Sequence, residues 1–244
     1  MGSGSFVVNL PPFIALCGNP GAGKSEAQKI LHNALGYVPV DDGRPLRNIA
    51  RDYLGLTEAQ VTTQEGKAET VTINGQEWVV RDVLGEIGNA FEEKFGGDVI
   101  PLMAMHASGM TRSLSKERFS FGSVRRKQGW FYRARGGVVI EIRRAGTGPL
   151  EYAFDRFDRS AVDIVVQNDG TLEQFEQRLI AGLRWFAGDP ESHGAYPMTE
   201  VGAGYRARDG VVLLEQRSAS TVLQEGHEQE LRALFDEAYA SPND

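Results

Sequence analysis

The stretch Ile14-Ala15-Leu16-Cys17-Gly18-Asn19-Pro20-Gly21-Ala22-Gly23-Lys24-Ser25 constrains this chain more than any other. A short apolar run enters it and a helical pattern leaves it from Lys24 to Leu35. Between them lies Gly-x-x-x-x-Gly-Lys-Ser, the spacing of a phosphate-binding loop. Gly18, Gly21 and Gly23 admit backbone angles closed to other residues, so successive N–H groups can converge on one anion. The following helix adds its positive N-terminal end. Lys24 brings a point charge to the β- and γ-phosphates, and the Ser25 hydroxyl suits Mg²⁺. Gly18, Asn19, Pro20, Gly21, Ala22, Gly23, Lys24, Ser25 and Glu26 are therefore the expected ATP-phosphate contacts, with Ser25 the metal ligand.

The 244 residues suffice for one sizeable α/β domain with additions. With 41% hydrophobic and 24% charged residues, the composition is that of a globular protein, and no apolar run is long enough to span a bilayer. A formal charge of −7 gives no global attraction to nucleic acid, so any such binding needs a local basic surface. The single cysteine, Cys17, cannot form an internal disulfide, and residues 1–12 read as a flexible leader without the apolar core of a signal peptide. A cytoplasmic setting is expected.

Along the chain, Phe13 to Cys17 reads as a buried strand, Tyr37 to Val40 as a second, Arg118 to Val124 as a third, Gly137 to Ile142 as a fourth and Val162 to Val166 as a fifth. Pro45 suits the first turn of a helix through Leu46, Ile49, Ala50 and Tyr53. Thr57 and Thr171 are placed as helix caps. Asn74-Gly75, flanked by alternating residues, demands a tight hairpin over about 70–80, inserted outside the main sheet. Strands separated by helices imply an α/β fold: a three-layer P-loop kinase arrangement with a five-stranded, mostly parallel sheet. The kinase domain is expected over 13–187, followed by a linker and C-terminal extension over 188–244, where Gly204 to Gln216 suggests a hairpin about Asp209-Gly210.

Ligands on such a sheet bind beyond the carboxyl ends of the strands. That places the loop, Asp41-Asp42, Val124-Arg125, Arg143-Arg144 and Gln167-Asn168 on one rim. The chain lacks the Asn-Lys-x-Asp that reads guanine in GTPases, and its third strand ends Phe119-Ser120-Phe121-Gly122-Ser123 without the carboxylate a motor ATPase needs. A small kinase fits better. Residues 143–160, with Arg143, Arg144 and glycines, read as a lid; Asp41 and Asp42 as groups that orient or deprotonate an acceptor; and Arg44, Arg47, Arg81 and Arg125 as receptors of an acceptor phosphate.

Four stretches together resemble the phage-type deoxynucleoside monophosphate kinases. They are Gly18–Ser25; Asp42 with Arg44-Pro45-Leu46-Arg47; Arg81 to Gly88; and Gly137 to Arg144 continuing to the Asn168-Asp169-Gly170-Thr171-Leu172 turn. The resemblance covers roughly residues 13–186. It implies a nucleoside monophosphate kinase fold and transfer of the ATP γ-phosphoryl group to a deoxynucleoside 5′-monophosphate with Mg²⁺. It assigns Lys24 and Ser25 to ATP and metal, Arg143 and Arg144 to the lid, and Arg125 to the substrate. If the source is viral, the host cytoplasm is the implied location. The chain departs from the family after the third strand, where Gly122-Ser123-Val124 replaces an acidic pair.

Two rival readings stand beside this one. In the first, a related kinase phosphorylates a hydroxyl, such as that of a hydroxymethylated pyrimidine in phage DNA. Asp41-Asp42 suits an alcohol acceptor, and Arg112 to Arg135 interleaves cations with Phe119, Phe121, Trp130, Phe131 and Tyr132, which could stack bases. In the second, the chain is a non-catalytic nucleotide-binding module. The expected partner is a nucleotide substrate, with DNA and a homodimer left open.

Overall fold

The computed structural model describes residues 10–109, 117–148, 156–188, 199–202 and 205–214. The leader up to residue 9, Arg112, lid residues 149–155, linker residues 189–198 and everything after Leu214 lie outside the described residues.

The apolar run Phe13–Cys17 forms β1, the central strand. It is buried because it pairs on both sides in parallel, with β5 (Phe119–Phe121) and with β6 (Val138–Arg143). The chain leaves β1 through the loop into α1 (Lys24–Leu35) and returns as β2 (Val38–Val40). It then forms α2 (Arg44–Leu54), α3 (Glu58–Thr62) and α4 (Gln64–Lys67). A hairpin of β3 (Thr70–Ile73) and β4 (Gln76–Val79) follows, then α5 (Val80–Phe95) and α6 (Val99–Ala107). After β5 come α7 (Gln128–Arg133), β6, a 3₁₀ turn at Arg159–Ala161, β7 (Ile164–Gln167) and α8 (Leu172–Phe186).

The parallel strands run in the order β2-β5-β1-β6-β7. Helices fill the crossovers from β1 to β2, from β2 to β5 and from β5 to β6, as parallel pairing requires, and the described part of the β6–β7 crossover holds the 3₁₀ turn. This is an α/β fold around a mostly parallel central sheet. Alternate residues of β1, β6 and β7 point into the core on the side of α1 and α8, where Leu16, Ile140, Ile142, Leu31, Phe175 and Leu179 are buried together.

The sheet does not stop at the five strands expected. β8 (Thr199–Gly202), β9 (Tyr205–Arg208) and β10 (Val211–Leu214) continue it, and β10 pairs antiparallel with β7 through Val211 and Val166. The expected hairpin about Asp209-Gly210 joins β9 to β10. Its place in the main sheet is the correction to a sequence reading that kept it in an appended extension. The reason is physical: β7 would otherwise present unpaired backbone groups at a sheet edge, and the buried Val211-Val212-Leu213 covers them.

The segment between β2 and β5 builds its own small core. The hairpin forms a separate two-stranded sheet, with Asn74 and Gly75 both at positive φ, 50° and 76°, as a tight primed turn demands. Val71, Ile73 and Trp78 pack with Val80 and Val83 of α5 against Ala50 and Val61. Thr57 and Gln60 form a capping box at α3, as do Thr171 and Gln174 at α8. The small core thus braces α2 and α5 beside the carboxyl ends of β2 and β5.

Candidate active site

The loop is set by two close approaches. Gly18 has φ 131°, and a Cβ there would lie 2.3 Å from Ile142 O. Gly23 has φ 106°, and a Cβ there would lie 2.3 Å from Asn168 Nδ2. Only glycine tolerates both the angles and the contacts. Asn168 donates from Nδ2 to Ala22 O at 2.8 Å, and Asn19 donates from Nδ2 to Thr147 O at 2.6 Å. The β7–α8 turn and the loop after β6 therefore buttress the phosphate loop. Lys24 Nζ donates to Gly18 O at 2.7 Å and to Asn19 O at 3.0 Å, which folds the ammonium over the loop.

Two adjoining cavities open here. The loop cavity is lined by Gly18, Pro20, Gly21, Gly23, Lys24 and Ser25 on one side and by Gly122, Ser123 and Val124 on the other. The second cavity runs between α2 and α5, past Leu46, Leu84, Gly85 and Gly88, to Asn89, Glu92, Arg126 and Gln128. Asp42, Arg47, Lys67, Arg81, Ser123 and Arg125 line both. One carboxylate and four cations thus surround the junction between two compartments.

Asp42 is the carboxylate. It is 2% exposed. Its Oδ2 accepts the Ser123 backbone N–H at 3.1 Å, while among the described residues Oδ1 has no hydrogen-bond partner. Burial pushes its carboxyl up from 3.8 to about 6, against the opposing pull of Arg125 and the Ser123 N–H. Through the Ser123 bond, Asp42 reaches the end of β5 from β2. A carboxylate therefore stands beside the strand end that lacks one of its own.

The other expected residues divide. Arg47, Arg81 and Arg125 reach the junction; Arg44 is exposed and lines neither cavity. Asp41 lines the loop cavity but is ion-paired with Arg47, so its charge is partly committed. Glu26 pairs with Lys29 at 3.0 Å, and Glu26, Asn19 and Ala22 do not line the loop cavity; Ala22 is buried beneath it.

Arg143, expected in the lid, lies at the start of that segment. It is the last residue of β6, and its guanidinium holds the buried Glu141 from Nε at 2.8 Å and Nη2 at 3.2 Å. Arg159 approaches the same carboxylate at 3.7 Å. Arg144 is exposed in the following loop. Neither Arg143 nor Arg144 lines either cavity.

The DNA-stacking expectation also loses its rings. Phe119, Phe121, Phe131 and Tyr132 are buried, and Phe121 packs on Tyr132 with centroids 4.4 Å apart. Trp130 donates from Nε1 to Asp158 at 3.1 Å and lies under Arg133. These rings face the core because β5 and α7 pack face to face with their neighbours, which residue spacing alone does not reveal.

Sequence reasoning missed Lys67, Glu92, Arg126 and Gln128. Lys67 sits in a polar stretch with no motif around it. The other three become a group only when α5 is laid beside the chain that follows β5.

No family model matches the chain. Over 183 residues it is 24% identical to a provisionally named deoxynucleotide monophosphate kinase of Acanthamoeba polyphaga mimivirus, a match covering 69% of this chain and 94% of that protein. Solved structures similar to it include a dephospho-CoA kinase from Campylobacter jejuni, with TM-score 0.40 and 15% identity over 72% of this chain and 98% of the other. A gluconokinase from Sinorhizobium meliloti 1021 gives TM-score 0.35 and 17% identity, covering 74% and 95%. No helix among the described residues is long and apolar enough to cross a membrane.

Proposed function

We propose that this chain is an enzyme that transfers the γ-phosphoryl group of ATP to the phosphate of a deoxynucleoside 5′-monophosphate, giving the diphosphate. The observation that carries the reading is the shared wall of the two cavities. A phosphate loop opens on one side, a compartment with an apolar middle on the other, and Arg47, Lys67, Arg81 and Arg125 stand between them. Two phosphates that must meet in line repel each other, and cations at their meeting point offset that repulsion. The name of the mimivirus relative supports the same acceptor class.

In this reading an oxygen of the acceptor phosphate attacks the γ-phosphorus, the bond from γ-phosphorus to the β–γ bridging oxygen breaks, and ADP leaves. The loop N–H groups and Lys24 hold the β- and γ-phosphates. Arg81 and Arg125 orient the acceptor. Ser25 and Asp42 both line the loop cavity, and the buried Asp42 Oδ1 without a partner fits an oxygen-seeking cation. Ser25 and Asp42 would therefore hold Mg²⁺, with the remaining ligands coming from phosphate oxygens and water; among the described residues no cluster of three or more His, Cys, Asp and Glu side chains could hold a metal unaided. When bound, Mg²⁺ neutralises charge on the transferring group.

One observation favours a second reading. A buried carboxyl held near 6 with an open oxygen is also what a general base for an alcohol requires. In that case the acceptor is a hydroxyl, for example on a hydroxymethylated pyrimidine. Labelled ATP, offered with each deoxynucleoside monophosphate and separately with hydroxymethylated DNA, decides between them. Transfer to a monophosphate supports the first reading; transfer to the DNA alone replaces it with the second.

A further inference from the structure

The phosphoryl chemistry leaves the far end of the acceptor cavity unused, yet that end is the most highly organised part of its wall. Glu92 Oε2 accepts from Arg126 Nη1 at 2.7 Å, and Glu92 Oε1 accepts from Gln128 Nε2 at 2.9 Å. The Arg126 Nη2 also donates to Asn89 Oδ1. Gln128 Oε1 accepts the Arg125 backbone N–H at 3.0 Å, which fixes the amide with its nitrogen toward Glu92. Glu92 and Gln128 are almost fully covered, whereas the Arg126 side chain keeps 37% of its surface.

Arg126 carries a second, independent sign. Its φ is 45°, in the left-handed region that a non-glycine residue avoids. Two backbone bonds hold it there: its N–H donates to Arg156 O at 2.6 Å, and its carbonyl accepts the Asp158 N–H at 2.7 Å. Backbone strain that the surroundings enforce concentrates at ligand clamps. Here it aims a guanidinium at the wall of a cavity.

We infer that Arg126, Glu92 and Gln128 form a base-reading subsite for the imide edge of thymine or uracil. The inference rests on the monophosphate-acceptor reading above. The three side chains stand in the order donor, acceptor, donor. Each NH₂ group has a second hydrogen, and a carboxylate has about four acceptor positions, so the internal bonds do not exhaust them. The imide edge is carbonyl, N–H, carbonyl, the complement of that order, and its symmetry lets it be read in either direction. Guanine offers one acceptor and two donors, so one of its donors meets the Gln128 nitrogen. Cytosine and adenine place an amino donor where an acceptor is needed. Between this subsite and the cationic junction, Gly85 and Gly88 lie three residues apart on α5 and leave a smooth strip for a flat ring.

The test uses the full chain with ATP and Mg²⁺ and measures kcat/KM for dTMP, dUMP, dGMP, dCMP, dAMP and the N3-methyl derivative of dTMP. The expected result is that dTMP and dUMP exceed the other natural bases by about 10–100-fold, as matched base hydrogen bonds allow. N3-methylation, which removes the central N–H without touching the protein, is expected to lose at least that factor. Glu92→Gln and Gln128→Met should each narrow the preference through the acceptor KM, with the ATP KM unchanged. Equal turnover of all four base types, or a preference for dGMP, dCMP or dAMP, overturns the base assignment and leaves the kinase reading standing. No turnover of any monophosphate overturns both.

Discussion

Asp42 and Asp163 are 2% and 3% exposed, and burial pushes both carboxyls up to about 6. Their surroundings differ. Asp163 Oδ2 accepts the Val139 backbone N–H at 2.8 Å, its Oδ1 meets Arg133 Nε at 3.2 Å, and its backbone bonds to Val139 O and Leu214 N. It bolts α7, β6 and β10 together and lines neither acceptor nor loop cavity. Asp42 has one backbone partner, an open oxygen, and a place on the wall between both cavities. A raised carboxyl therefore does not mark function by itself. What separates the two is whether the burial is already fully answered by hydrogen bonds.

The largest expected effect lies at Asp42 and its neighbour Lys24. Lys24→Ala should lower kcat by about 10²–10³-fold, because its charge acts on the migrating group, while thermal unfolding stays near that of the parent. Steady-state kinetics beside a melting curve read both; a folded Lys24→Ala protein with normal turnover would remove the kinase reading altogether. Asp42→Asn should lower kcat by roughly 10²–10⁴-fold if the acceptor is an alcohol, and by less, chiefly through Mg²⁺ dependence, if it is a phosphate.

Asp163 should behave in the opposite way. Asp163→Ala leaves Arg133 without its buried counter-charge and should cost about 3 kcal/mol of stability, with kcat of the folded fraction unchanged. A loss of turnover without loss of stability would erase the distinction between the two aspartates.

The pH dependence sharpens it further. Folded Asp42 keeps its proton up to about 6, whereas the unfolded chain releases it near 3.8. Between those values the folded state binds more protons, so Asp42's contribution to stability declines as pH rises through that window. The decline is on the order of 3 kcal/mol at full size. Asp42→Asn should therefore flatten the curve of stability against pH and raise stability at pH 7 by about 1–3 kcal/mol. Denaturant titrations at pH 4 and pH 7 measure this, and an unchanged slope would show that Asp42 is not held protonated.

The smallest effects are expected past β6. Arg144→Gln should change kcat by less than about tenfold, since Arg144 is exposed and lines neither cavity. Arg143→Gln should act mainly on stability, because it strips the buried Glu141 of a two-point partner. A turnover loss at Arg143 larger than at Asp42 would instead support a lid role for Arg143.

The sequence alone determined the loop, the parallel core around it, the Asn74-Gly75 hairpin and both threonine caps. Each follows from neighbours in the chain: glycine spacing, apolar runs, a turn dipeptide, a cap three residues before its partner. It also put Asp42 and Arg125 on one rim, since strand ends in an α/β sheet fall together; Arg44, Arg47 and Arg81 are expected beside them as phosphate receptors, and of these the helices α2 and α5 bring only Arg47 and Arg81 to the cavities. Only the tertiary structure decided that Arg143 is spent on Glu141, that four of the Arg112–Arg135 aromatics are core, and that Val211–Leu214 closes the edge of β7. The same holds for the row Arg126, Glu92, Gln128, whose members come from α5, the turn after β5 and α7. Those facts depend on which faces meet across long loops, and a buried polar group is satisfied by whatever the fold brings to it, not by its neighbours in sequence.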